Sequence, residues 1–273
     1  AVIAGTPLLF ATVGELITEK AGNLNLGVEG LMVMGAVIGF LVGYRTGSPV
    51  LACLGALAAG SVGSLIFAVL TVSLRVNQVV TGLTLTIFGQ GFASFVGSSV
   101  MGAVLPYSIK EFFQVIAIPG LSSIPFIGPI FFKQDIFVYF GYVVVVATSI
   151  YLYKTKKGLN LRSVGESAAS ADASGIPVNL YKYVHIIVGG ALCALGGAYL
   201  SLVTVPVWQE NIIAGRGWIA VALVIFASWN PIKALVGSYL FGGLNILGFR
   251  LQSVGIHISQ YLIDMLPYAA TIF

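Results

Sequence analysis

Apolar residues in this chain fall in long runs separated by short polar breaks, not in the period-two alternation of barrel strands. The first three runs span about residues 2–18, 24–44 and 49–73. Each approaches the roughly 20 residues that a bilayer-spanning helix requires. A fourth run, 77–104, is more polar and is interrupted by Gly82, Gly89, Gly91 and Gly97. It predicts a discontinuous helix, which is tolerated at membrane depth only where protein or a water-filled cavity satisfies the freed backbone. Residues 105–134 carry Pro106, Pro119, Pro125 and Pro129 among aromatics, so an irregular extracytoplasmic loop is expected there and not a span. Further spans are expected at 135–153 and 183–205, a short one at 217–229, one at 231–249, and a last one from Ile258. The pattern predicts an all-α polytopic membrane protein of about nine membrane segments.

Composition agrees. Only 8% of residues are charged and 58% are apolar, with a mean hydropathy of +1.01, against about 25% charged in soluble domains. The 34 glycines suit close packing of spans. Cys53 and Cys193 lie inside apolar runs, so core packing is expected and no disulfide or metal framework follows. The chain starts Ala-Val-Ile and stops inside an apolar run at Phe273, so trimmed ends are expected, and no signal-peptide pattern stands out. The net charge of +4 bears on loop orientation and points to no nucleic-acid partner.

One long polar interval, Lys154 to Lys182, holds Lys154, Lys156, Lys157, Arg162 and Lys182 against Glu166 and Asp172. Basic residues beside spans resist translocation, which assigns this loop to the cytoplasm. Alternating sides from there puts Lys20, Arg75 and Lys233 inside as well, and Arg45, Lys110, Lys133, Arg216 and Arg250 outside. Within the loop, Gly165 to Ala173 predicts a short helix of small residues, stopped by Gly175 and Pro177. An internal repeat is also expected. Glu19-Lys20-Ala21-Gly22-Asn23 leads into one apolar run and Gly47-Ser48-Pro49 starts the next; Ile213-Ala214-Gly215-Arg216 and Trp229-Asn230-Pro231 do the same later. The displacement is an odd number of segments, so the copies, about 1–104 and 183–273, would be inverted.

Catalytic motifs are missing: there is no P-loop and no metal-ligand cluster, and His185 and His257 are expected at interfaces. Polar groups at membrane depth remain, and such groups are costly and often functional. Asn23, Asn25 and Glu29 cluster at the start of the second run; Asn23 suits structural or gating work, and Glu29 lies deeper. Asn77, Gln78, Thr81, Thr84, Thr86 and Gln90 give the fourth segment a polar face. That face suits a substrate pathway for a neutral hydrogen-bonding solute, and equally helix–helix hydrogen bonding. Trp208 to Asn211 fit an external mouth, although an aromatic-belt residue also explains Trp208.

Three stretches in order carry a resemblance: Leu8 to Ala36, Leu74 to Gly82, and Gly158 to Glu166 continued by Ala171 to Ile176. Together they resemble permease subunits of ABC importers of the branched-chain amino acid and simple-sugar group, and within it the shorter permease of bacterial nucleoside uptake systems. The resemblance implies one permease domain over 1–273, a separate ATPase that binds ATP and Mg, and no cofactor on this chain. It also implies a second homologous permease chain, an extracytoplasmic substrate-binding lipoprotein, and residence in the bacterial cytoplasmic membrane. Gly165, Glu166, Ala168, Asp172 and Gly175 match the segment that couples to the ATPase; Arg162 and Ser167 lie in the same stretch. Val13-Gly14-Glu15 stands where many relatives have Ala-Leu-Gly, which leaves Glu15 without a role. Nucleosides are the expected cargo, simple sugars the alternative, and an ATPase-independent carrier or channel the reading from a different class.

Overall fold

In the computed structural model, which describes residues 1–125, 127–253 and 259–272, the long apolar runs are helices. α1 is Val2–Lys20, α2 Val28–Thr46, and α3 Pro49–Ala68, prolonged by a π-helical turn over Val69–Ser73. α4 is Gln78–Gly97. The proline-rich interval holds two short helices, α5 (Tyr107–Phe112) and α6 (Ile127–Phe131), around a two-stranded antiparallel ladder, β1 (Ile116–Ala117) on β2 (Lys133–Gln134). α7 is Ile136–Lys154, α8 Lys156–Glu166, α9 Ala168–Ala173, and α10 Val178–Tyr199 with a second π-helical turn, Leu200–Thr204. α11 is Arg216–Phe226, α12 Pro231–Ser253 and α13 Gln260–Ile272. His257 and Ile258 fall outside the described residues.

Local chemistry sets the helix starts. Ser48 caps α3 with Pro49 in the first turn, Asn77 caps α4, Asp135 caps α7 and Thr155 caps α8, each accepting a backbone N–H of the first turn. Six helical segments among the described residues are long and apolar enough to cross a bilayer: 2–20, 28–46, 49–73, 78–100, 136–154 and 178–204. α11 and residues 231–247 of α12 are apolar but shorter.

Three expectations change. α4 is one unbroken helix, and its glycines serve close approach instead of interruption. A side chain at Gly82 would meet the backbone of Leu26 and Gly27, and one at Gly89 would meet that of Gly30. The breaks lie elsewhere. The second apolar run becomes helical only at Val28, after an irregular stretch over 21–27, and 205–215 is irregular before α11.

These stretches re-enter the fold. The Asn25 N–H donates to Glu15, more than a turn back inside α1, at 2.8 Å. Thr12, near the middle of α1, donates to the Ala220 carbonyl at 3.4 Å. Trp229, just past α11, donates its indole N–H to Glu19 at the end of α1. α11 therefore runs from the middle of α1 to the face that carries Lys20, α8 and α9, and 205–215 supplies the other half of that crossing. Arg216, expected in an outer loop, instead opens α11 at depth, where its guanidinium donates to the carbonyls of Ile212 and Ile213.

α10 is central, packed against α1, α2 and α3; α1 in turn packs against α10, α11 and α12. Exchanging α1 to α4 for α10 to α13 leaves this neighbour pattern unchanged: α2 on α4 answers α11 on α13, and α3 on α10 answers α12 on α1. Small residues allow the approach. Gly14 of α1 and Gly189 of α10 face each other's backbone, as do Gly197 of α10 and Met32 of α2.

Candidate functional site

Two places concentrate polar chemistry, one inside the bundle and one on the basic face. Inside, Glu29 is the second residue of α2 and is 4% exposed. Its carboxylate accepts the N–H of Gly215 at 2.9 Å and of Gly217 at 2.6 Å. It thus satisfies amides that the first turn of α11 leaves without helical partners, at the positive end of that helix's dipole. Gly217 is required there: a Cβ would lie 2.5 Å from the Glu29 backbone.

Glu29 also borders a cavity of about 260 Å³, lined further by Gln90 and Ser94 of α4 and by Trp208, Glu210 and Asn211 of the irregular stretch. Trp208 is buried at 2% exposure, in contact with Phe40 at a centroid distance of 5.8 Å, and held by backbone bonds to Gly102 and Ala103. It is therefore a cavity wall and not a lipid-facing belt residue. Of the expected pathway residues, the structure brings together Glu29 and Gln90. Asn77 caps α4, Gln78 accepts from the Leu24 N–H at 2.8 Å, and the Thr81 and Thr84 hydroxyls donate back to carbonyls one turn earlier. Thr86 ties α4 to the Leu26 carbonyl at 3.0 Å.

The same bonds explain Asn25 and Glu15. Asn25 accepts from the Gly27 N–H at 2.8 Å and gives its own N–H to Glu15, so the two fix the first re-entrant peptide. His185 lies between two tyrosines, bonded to the Tyr151 hydroxyl at 2.7 Å and the Tyr181 carbonyl at 2.6 Å.

On the basic face, the helix expected over 165–173 is two helices. α8 continues through Glu166, and the extended Ser167 caps α9 by accepting from the Ser170 N–H. α9 ends in a Schellman arrangement: Ile176 N–H to Ala171, Gly175 N–H to Asp172, with Gly175 at φ 77°. Ala171 is buried on the bundle, while Glu166, Ser167 and Asp172 are exposed. A groove of about 860 Å³ runs beside α9, between Asp172, Arg75 and Lys182. Gly165 sits on α1, where a Cβ would collide with the Lys20 carbonyl. Arg162 lies over the Tyr153 ring, 5.4 Å from its centroid, and borders a second cavity of about 280 Å³ with Glu19, Lys20, Glu166 and Trp229. Glu19 and Trp229, read from the sequence only as markers of the internal repeat, are functional candidates here; the signal was a carboxylate at the end of an apolar run and a tryptophan at a helix break.

Taken together, the helical bundle, its broken crossings and its polar interior define a multi-pass membrane translocation protein. Residues 1–273 match the family model for the permease component of the branched-chain amino acid transport system. The chain is 40% identical, over 93% of its length and 77% of the relative's, to a putative glucose ABC transporter permease of Haloferax volcanii. It is 33% identical to the guanosine ABC transporter permease NupQ of Bacillus subtilis and 34% identical to the nucleoside ABC transporter permease NupC of Lactococcus lactis subsp. cremoris, each over 99% of this chain and 88% of the relative. No solved structure matches. The chain belongs to this ABC transporter permease family.

Proposed function

We propose that the chain imports nucleosides across the bacterial cytoplasmic membrane as one of two homologous permease chains. The observation that carries this reading is the similarity to guanosine and nucleoside permeases along essentially the whole chain. The cavity supports it. Glu29, Gln90, Ser94 and Asn211 offer acceptors and donors for hydroxyls, and Trp208 offers a ring face. At about 260 Å³ the cavity falls just short of the ~300–1,000 Å³ of typical small-molecule sites. Along α4 and the turn after it, Thr84, Gly91, Ser94 and Ser98 are exposed on a face that they share with Ile87, Phe88 and Phe95.

On the same reading α9, with Arg162, Gly165, Glu166, Ser167, Ala168, Asp172 and Gly175, docks to the ATPase that binds ATP and Mg, and an extracytoplasmic lipoprotein delivers the solute. The exchangeable neighbour pattern supports an inverted repeat. A simple sugar is the second reading, favoured by the similarity to the Haloferax volcanii glucose permease. The whole transporter in proteoliposomes decides. ATP-driven uptake of labelled guanosine that glucose does not compete with is expected; the reverse result overturns the nucleoside assignment. Glu166→Ala and Asp172→Ala should lower uptake and leave receptor docking intact, and normal uptake by both overturns the docking site. Gradient-driven uptake by this chain alone overturns the whole reading.

A further inference from the structure

We propose that α11 is a strut that carries displacement of the α8–α9 face to the cavity, with Glu29 and Trp229 as the positioning residues at its two ends. The inference rests on the ATPase-docking reading above and adds a route.

Eleven residues make α11 about 16 Å long. At the cavity end it is clamped by the two bonds from Gly215 and Gly217 to Glu29, which itself borders the cavity. At the other end Trp229 donates to Glu19, lies under the Lys20 ammonium at 5.9 Å from the ring centroid, and accepts from the Tyr153 hydroxyl at 3.3 Å. Those partners touch α8 directly: Gly165 rests on the Lys20 backbone, and Arg162 lies over Tyr153. Movement of α8 therefore reaches Trp229 through two separate contacts.

Backbone strain gives an independent sign. Ala214 (φ 50°) and Gly215 (φ 82°) precede α11; Ser228 (φ 50°) and Trp229 (φ 54°) follow it. Left-handed conformation is uncommon for any residue but glycine and an outlier for a bulky one, and it persists only where the surroundings over-determine it. Three of these four are not glycine, so a rigid helix is bounded by strained joints, and each joint is held by a clamp. Such an element has few intermediate positions, because helix and clamps move together or not at all.

The test uses the complete transporter in proteoliposomes, reading nucleoside uptake and ATP hydrolysis together. Glu29→Gln puts an amide, which donates, where a carboxylate oxygen accepted. Trp229→Phe keeps the ring over Lys20 and removes the bond to Glu19. Each is expected to lower uptake per ATP at least ten-fold while hydrolysis continues. The double variant is expected to fall no further than the worse single one, because a strut released at either end transmits nothing; distant independent sites would instead combine multiplicatively. Ser228→Gly guards against misfolding as an explanation. It relieves the joint, so the protein should be at least as stable, yet uptake per ATP should fall. Multiplicative loss, an unchanged ratio in all three variants, or a Ser228→Gly transporter with normal coupling overturns the strut. An unsubstituted transporter without ATP-driven uptake overturns the docking reading as well, which separates the two failures.

Discussion

Replacement of Gly35 by Ala tests the packing that places α2, and with it Glu29, against α10. The added Cβ would lie 2.5 Å from both Cα and C of Ala194, where carbon pairs prefer about 3.5–4.0 Å, so the helices separate by about 1 Å. The clash is with backbone, which no rotamer change relieves. Overpacking costs about 1–3 kcal/mol, and a backbone clash belongs at the upper end, near 3 kcal/mol. That corresponds to a more than hundred-fold shift in the folding equilibrium and a fall in Tm of about 6–12 °C for a chain of this size. Gly91 on α4 is the internal control, since nothing lies within 4 Å of its added Cβ. Alanine there gains about 0.5–1 kcal/mol of helix propensity, so Gly91→Ala in the isolated chain should melt at or slightly above the unsubstituted temperature. Thermal scans in detergent followed by size-exclusion chromatography measure both. Tm values for Gly35→Ala and Gly91→Ala within 2 °C of each other would refute the claim that small residues here set helix separation.

Other consequences follow from single bonds. Tyr199→Phe removes the hydroxyl that donates to Asp135 at 2.8 Å, which should lower stability by about 1.5–3 kcal/mol, the range for a bond to a charged group, in a detergent melt. Glu15→Ala leaves the Asn25 N–H without its acceptor inside the bundle; a loss of about 1–3 kcal/mol and faster hydrogen exchange over 21–27 are expected, and unchanged exchange would count against the re-entrant peptide. Gln90→Ala at the cavity should raise KM for uptake, whereas Thr84→Val, which removes only a bond within α4, should leave it unchanged; equal effects would dissociate the cavity from transport.

Much of this architecture was legible because span length is a strong signal. Runs of 17 to 25 apolar residues became helices almost where they stood, and the proline-rich 105–134 holds only short elements, although its Leu105, Ile109 and Phe113 reach the core. Depth was far less legible. Glycines in 77–104 and the polar opening of the second run look alike in a sequence, yet Gly82 and Gly89 meet another helix's backbone while residues 21–27 leave helical conformation altogether. The outcome depends on which helix lies opposite, and periodicity carries no information about that. The short helix on the basic face was visible in its small residues and in Gly175, but the break at Ser167 arises from one extended residue acting as a cap, a choice that Ser makes only in context. Glu29 stood out as a charge at depth. Its partners, the amides of Gly215 and Gly217, have no side-chain signature.

Those partners have a bearing on synthesis. Glu29 is separated from Gly215 and Gly217 by 186 and 188 residues. At about 5–20 residues per second the ribosome takes roughly 10–40 s to cover that distance. During this interval α2 carries a carboxylate toward the bilayer without the helix start that satisfies it, and α1 and α2 show their glycine faces before α10 has emerged. The buried bonds of Glu29 therefore form only once the start of α11 has been made.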